Sequence, residues 1–266
     1  MRNYQAEKKL VRDYYKALDR VNVDGITEVL GLFIGDNYLW RGFHPFNEQF
    51  GAEAVSEIFW KPFRRAFQHM QRRMDVFFAG SNEIDDHQSV WVVSMGHLMG
   101  LFDNEWLGIT PSRKMAFLRY CEFHKIEHGK ITETAMFFDI PHLMIQVGLH
   151  PFPTQTAAHL VQPGPMAHDG LMFEEQNPEE GEKTLAAIDF MVNDMRDWKD
   201  AKKLPLVEEL GRSWNEDMIW WGPAGIGATY TIERYAEQHS GPFRTSFTDR
   251  IFNGHLCKFA EGKFGG

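Results

Sequence analysis

The sequence predicts an α+β fold that occurs twice in the chain, the second time incompletely. Two observations predict it. Apolar residues recur at helical spacing up to about residue 68, then alternate in strand-like runs as far as residue 139. At an ungapped offset of 180 the chain also matches itself at positions spread over residues 30–67, nine of which are named here. Leu30 meets Leu210, Gly31 meets Gly211, Trp40 meets Trp220, Gly42 meets Gly222 and Glu53 meets Glu233. Pro62, Phe63, Arg64 and Phe67 meet Pro242, Phe243, Arg244 and Phe247. Composition alone gives about two or three matches over that span.

The elements follow in order. Residues 4–20 form an amphipathic helix with Leu10, Val11, Tyr14, Tyr15 and Leu18 on one side. Asp24 is placed to cap a second helix through about Leu32. Asn37 to Arg41 is a short strand. Residues 52–68 form a third helix that faces Val55, Ile58, Phe59, Phe63 and Phe67 inward. Strands are expected at Met74–Phe78, Ser89–Met99, Lys114–Ile126 and Ile131–Asp139. A short helix follows over Ile140–Leu149, begun by Pro141 at a permitted position. Pro151, Pro153, Pro163, Pro165 and Pro178 then break the pattern. Helical spacing resumes from Lys183 to about Trp198 and from Leu204 to Trp214. Asp217–Trp221 reads as a strand, with a turn and then a helix near Thr229.

Three regions result. Residues 1–150 are a complete domain, 151–181 a Pro-rich acidic linker, and 182–266 a partial second domain. Position 266 corresponds to 86, so the second copy lacks the counterpart of 87–150, with three of the four long strands. An open sheet edge would remain. Either the chain is a fragment, which is the preferred reading, or another chain completes this half. A homodimer, or a pseudo-dimer of the two copies, is the assembly expected.

Composition narrows the function. The 266 residues carry a net charge of −9, with −2 through residue 150 and −7 beyond it. Nucleic acid and anionic membranes both call for a basic surface, so neither is an expected partner. Glu174, Glu175, Glu179, Glu180 and Glu182 supply much of the later excess and read as solvated linker. The two cysteines, Cys121 and Cys257, cannot build a disulfide framework and lack metal-ligand spacing. No apolar run spans a membrane and the N-terminus is no signal peptide, so a cytoplasmic location is expected. Aromatics at 14% can line a cavity or fill a core.

No cofactor is expected. Gly225 opens a G-x-G-x-x-G pattern that fails at Tyr230, and the P-loop Lys-Ser/Thr is absent. His124 and His128 are four apart, yet Glu127-His128-Gly129-Lys130 is a turn, so no metal site is expected either.

Several motifs converge on one family. They are Gly129-Lys130-Ile131-Thr132-Glu133, Phe137-Phe138-Asp139, and Leu143, Gln146 and Gly148. Trp40-Arg41-Gly42, Gly96-His97-Leu98-Met99-Gly100 and Trp221-Gly222-Pro223-Ala224-Gly225-Ile226-Gly227 join them. Together they resemble the SnoaL-like polyketide cyclase branch of the NTF2-like (cystatin-like) superfamily, in its tandem form. The resemblance covers 4–150 and, more weakly, 183–266. It implies a cone in which a curved sheet wraps round helices and encloses an apolar pocket. It also implies a choice between enzymes that move protons beside a carbonyl and non-catalytic binders.

Asp139 shares a strand face with Glu133, Ala135 and Phe137. Desolvation beside Phe137 would raise its carboxyl pKa and suit a general base. Equally, Asp139 is placed to cap the helix after it. The resemblance favours the first role, because the family's acid/base sits there. Tyr120, Glu122 and His124 share a face of the preceding strand; Tyr120 or Glu122 would orient a substrate oxygen, or Glu122 and His124 would face outward. His97 would donate to a carbonyl or act as acid, or be a sheet histidine. Phe137 would wall the pocket, Trp40 would be a core residue or part of that wall, Arg41 and His44 would stand at the pocket mouth or on the surface, and His142 would hydrogen-bond Asp139 or face solvent. Two departures weaken the family's standard reaction: Ser94 stands where many members have a pocket histidine, and Ala135 where they have Trp.

The function expected is cofactor-free acid/base chemistry (cyclisation, isomerisation or hydration) on a small apolar carbonyl compound. Asp139 and His97 would be its catalytic groups, with Trp40, Arg41, Tyr120, Glu122, Phe137 and His142 binding substrate. The alternative is a non-catalytic small-molecule-binding or dimerisation module.

Overall fold

The computed structural model describes residues 3–196 and 204–266. Helix α1 (Gln5–Arg20) buries Val11, Tyr14, Tyr15 and Leu18, the stripe its periodicity predicts. Helix α2 is Ile26–Phe33. Gly25, not Asp24, stands at its N-cap, with no side-chain cap bond. Strand β1 (Ile34–Arg41) turns back through β2 (Glu48–Phe50). The third helical stretch has three parts: α3 (Gly51–Val55), a π-turn (Ser56–Trp60) and α4 (Lys61–Ala66). The wider π-turn rotates the face that follows it. Trp60 is therefore buried, while Ile58, expected inside, is exposed.

Four long strands follow: β3 (Phe67–Ser81), β4 (Val90–Phe102), β5 (Met115–Glu127) and β6 (Lys130–Phe138). The sheet order is β2-β1-β6-β5-β4-β3. Only the β1–β6 pair is parallel. The sheet curves round the helices, giving the cone of helix against sheet that the motifs lead one to expect. Strand β3 is three times the length its alternation suggests. Register shifts between Gln68 and Gln71 and between Met74 and Val76 scramble its period.

Register assigns the two faces. Ser94 pairs with Glu122 and Gly96 with Tyr120, so these positions point inward with His124. The inward face packs on the helices in one aromatic-rich core. The outward face is also covered. Val76, Phe78, Trp91 and Val93 pack there with Met172 and Phe259. Helix α5 (Ile140–Gln146) closes the first region.

Helix α6 runs from Pro178 to Arg196. The helix thus begins five residues before the expected Lys183, and Glu179, Glu180 and Glu182 belong to its first turns. Acidic side chains suit a helix N-terminus, where unpaired N–H groups and the helix dipole favour negative charge. Residues 197 and 198, the expected end of this helix, lie outside the described residues. Then come α7 (Leu206–Leu210), β7 (Ile219–Trp221) and β8 (Ala228–Tyr230). Thr231 caps α8 (Ile232–Tyr235), which passes through a π-turn (Ala236–Ser240) into α9 (Gly241–Ser246). Strands β9 (Ala260–Glu261) and β10 (Phe264–Gly265) end the chain. Among the described residues beyond 178, no strand exceeds three residues.

The offset of 180 reappears in the geometry. Leu39, Trp40 and Arg41 pair with Phe50, Gln49 and Glu48; Ile219, Trp220 and Trp221 pair with Tyr230, Thr229 and Ala228. Each π-turn sits 180 positions from the other. A Cβ on Gly42 would lie 2.1 Å from the Trp40 ring, and one on Gly222 would lie 2.1 Å from the Trp220 ring. The same close approach explains both glycines.

Candidate functional site

Asp139 ends β6 and begins α5, and both of its carboxylate oxygens are engaged. Oδ1 accepts from the His142 backbone N–H at 3.1 Å, capping α5. Oδ2 accepts from Ala224 N–H at 3.0 Å. Beside it the Arg119 guanidinium donates to the carbonyls of Trp221 and Gly222 at 2.8 and 3.3 Å. Asp139 and Arg119 therefore grip the Trp221–Gly225 turn. A cleft of about 220 Å³ lies here, lined by Tyr120, Phe137, Phe138, Asp139, Trp221 and Pro223 among others. It is open rather than enclosed, and Phe137 is 46% exposed, stacked on Phe43. Asp139 is itself buried, but both of its oxygens already accept from backbone N–H groups.

The enclosed polar centre lies on the other face of the sheet. Arg72 on β3 and Glu122 on β5 form an ion pair of 2.8 Å, at 2% and 1% side-chain exposure. Asp19 of α1 approaches Arg72 Nε to 3.5 Å. The guanidinium lies 3.8 Å over the Tyr15 ring, with the rings of Tyr120 and Trp60 at 5.1 and 5.5 Å. The Tyr120 and Ser94 hydroxyls share a hydrogen bond of 2.9 Å. His124 is fully buried between Tyr15 OH and Thr134 Oγ1, at 2.8 Å from each.

Burial sets the protonation of this centre. It raises the Glu122 carboxyl, against the opposing pull of Arg72. It raises Asp19 likewise. It lowers the His124 imidazole to about 3, helped by the Arg72 charge. Burial also works against the charge of Arg72, but Asp19 and Glu122 outweigh it and hold the guanidinium protonated. Two carboxyls thus face one cation. Four atoms of the centre are buried without a hydrogen-bond partner: Glu122 Oε1, Asp19 Oδ1, and Nε and Nη2 of Arg72.

The remaining candidates disperse. Trp40 is buried, stacked on Phe59, and belongs to the core. Arg41 bridges Glu133 at 2.6 Å and Glu48 at the sheet edge. His97 points outward, 3.5 Å from Asp75 and edge-on to Phe117, with a buried Nε2 that lacks a partner. The His142 ring bonds Leu160 O and Gln146, so only its backbone meets Asp139. The structure gathers Tyr120 and Glu122 in the inner centre and Asp139 with Phe137 at the outer cleft. Tyr120 touches both. His124 is inside, not on the outer face. Sequence reasoning missed Arg72, Asp19 and Tyr15. Tyr15 and Asp19 are four apart on a helix, which could have signalled one face, but the bulges of β3 hid the side taken by Arg72.

No group of three or more His, Cys, Asp or Glu among the described residues could hold a metal. No helix among them is long and apolar enough to cross a membrane. No family model matches the chain, and no curated protein matches it. Solved structures of similar fold do. One is a candidate SnoaL-like polyketide cyclase from Jannaschia sp. CCS1, at 16% identity and a TM-score of 0.43, over 57% of this chain and 95% of that one. Another is AclR, a candidate hydroxylase from Streptomyces galilaeus, at 18% and 0.43, over 56% and 86%. A third is IdmH, a candidate polyketide cyclase from Streptomyces antibioticus, at 14% and 0.41, over 52% and 98%. These are likenesses of fold at low identity. The reading of the site stands on this chain's own residues.

Proposed function

We propose that the first region performs cofactor-free acid/base chemistry on a small apolar carbonyl compound, with Glu122 rather than Asp139 as the proton carrier. The unpartnered buried atoms of the inner centre carry this reading. Glu122 Oε1 accepts the C–H proton beside the carbonyl. Arg72 Nη2, donating, stabilises the oxyanion that forms, and Tyr120 and Tyr15 wall the centre. Glu122 then returns the proton to carbon or oxygen, so the step is an isomerisation or the first half of an aldol closure. Arg72 holds Glu122 as the carboxylate that accepts the proton, while burial raises its pKa toward the range in which a base transfers protons well. The centre is closed on the helix side by Tyr15 and Asp19 of α1.

The test is hydrogen–deuterium exchange at the α-carbon of 2-tetralone in D2O, followed by NMR. Glu122→Gln should slow the catalysed exchange by about 10²–10⁴-fold. Asp139→Asn should leave it within a few-fold. Equal rates with and without the protein would sink the catalytic reading. They would favour the second one, a non-catalytic binding module. That reading has its own support: the inner core is filled by Trp40, Phe46, Phe59 and Phe63, all buried. We also read residues 182–266 as an incomplete second copy of the first region. The shared offset, register and π-turn support it.

A further inference from the structure

We propose that His142 is an acid-sensitive latch, which holds residues 157–162 on the first region while neutral and releases them when protonated. The observation is a chain of hydrogen bonds that admits one protonation state of its ring. The chain begins at Phe117. Strand β6 ends its pairing with β5 at Phe138 and Tyr120, short of Phe117. The Gln146 side chain takes over there. Its Oε1 accepts from Phe117 N–H at 2.9 Å, and its Nε2 donates to Phe117 O at 2.7 Å. These two bonds fix which end of the amide is which. The same Nε2 meets His142 Nδ1 at 3.0 Å. An amide nitrogen only donates, so Nδ1 accepts and the ring proton sits on Nε2. That proton is donated to Leu160 O at 3.1 Å. Gln146, which the sequence sets between Leu143 and Gly148 in one motif, thus reads the charge of His142.

Leu160 belongs to a strap that carries part of the second region. Ala157 N–H donates to Ile226 O, and Ala158 and Ala228 exchange both main-chain bonds. Gln162 Nε2 donates to Gly222 O at 3.4 Å. A proton added at Nδ1 would point at the amide hydrogens of Gln146. Gln146 is held twice at Phe117, so the imidazole is the part that yields, and turning it away gives up Leu160. Charge acts in the same direction. The His159 ring, on the strap, lies 4.8 Å from the His142 ring, and two imidazoliums at that distance repel. Burial lowers the His142 pKa most; His159 and, from β4, His97 lower it further, while Asp139 at the end of β6 opposes them. His97 itself stands 3.5 Å from Asp75 of β3. Arg119 of β5 is engaged with the Trp221 and Gly222 carbonyls. The ring is therefore neutral near pH 7 and takes its proton below the ordinary 6.5.

Amide exchange on the full chain from pH 7 to 5, read by mass spectrometry and corrected for intrinsic rates, tests this. One proton is linked to opening, so protection of residues 157–162 should fall by about tenfold per pH unit below the His142 midpoint. Strands β4 and β5 should stay protected over the same range. His142→Gln should abolish the pH dependence, and His159→Gln should keep it. Glu122→Gln should also keep it, because the latch is separate from the chemistry proposed for the inner centre. A second measurement needs no variant. Long-range proton–nitrogen NMR of the parent chain should show His142 as the Nε2–H tautomer at pH 7, with a titration midpoint that matches the loss of protection. The Nδ1–H tautomer overturns the inference. So does strap protection that is constant from pH 7 to 5, that falls equally in the parent chain and His142→Gln, or whose pH dependence His159→Gln removes.

Discussion

Glu122 and His124 stand two residues apart on one strand face, and burial drives their proton affinities in opposite directions. The consequence for stability can be signed. The unfolded chain protonates His124 near its ordinary 6.5, while the folded protein holds it neutral to about 3. Between those values the unfolded state binds the extra proton, so stability falls as pH falls. The limiting slope is about 1.4 kcal/mol per pH unit. Glu122 has the opposite sign: its contribution is full below its ordinary 4.5 and fades as pH rises through its elevated folded value. Urea midpoints of His124→Gln and the parent chain, measured from pH 7 to 4, should show the acid loss shallower in the variant by about one proton. Parallel curves would show that His124 does not titrate this way. The residue scale is also where the sequence was hardest to read. Asp139 and Glu122 are both strand carboxyls beside aromatic residues. Asp139 meets the nearby His142 N–H and the distant Ala224 N–H, while Glu122 meets a guanidinium from another strand, and neither of the distant partners can be read from local sequence.

At the scale of elements, strands β4, β5 and β6 were legible because clean alternation reports a face. Strand β3 was not, since two bulges reset its period. The close packing at those bulges supports a prediction. A Cβ on Gly96 would lie 1.9 Å from the Arg73 carbonyl oxygen. Gly96→Ala should therefore destabilise the fold by about 1–3 kcal/mol, visible as a lowered thermal midpoint. An unchanged midpoint would mean that β3 can shift freely. Asp139→Ala removes a helix cap and should cost about 1 kcal/mol. The same variant should speed amide exchange at Ala224, whose N–H would lose its acceptor.

At the scale of the whole molecule, two of the ties between the second region and the first carry predictions. Arg119 and Asp139 hold the Trp221–Gly225 turn. At the other place Lys8 is buried, donating to Glu261 Oε1 at 2.6 Å and to the carbonyls of Met172 and Glu174. Glu261 Oε2 accepts in turn from Ala79 N–H at 2.8 Å. Breaking one partner of a buried pair strands the other charge, at a cost of about 3–5 kcal/mol. Lys8→Met should therefore lower global stability by that order and expose residues 257–265 to proteolysis before the sheet opens. Glu261→Gln should do so more mildly, because its amide oxygen can still accept from Ala79. Cleavage spread evenly over the chain would contradict a local tether.

The sequence by itself determined the order of the long elements, the mostly antiparallel sheet and the likeness between residues 30–67 and 210–247. Each of these depends on local spacing, and local spacing is written directly in the chain. It also determined which strand positions share a face, so the company of Tyr120, Glu122 and His124 was legible from alternation alone. Only the tertiary structure decided which face was the interior. Both faces of this sheet are apolar, and the outer one is covered by Met172 and Phe259, which come from distant parts of the chain. The Trp221–Gly225 turn, packed against Asp139, made it a clamp, and helix α1 on the other face left Glu122 with Arg72 as the desolvated pair. The physical reason is that a carboxyl's role depends on what removes it from water, and long-range packing decides that.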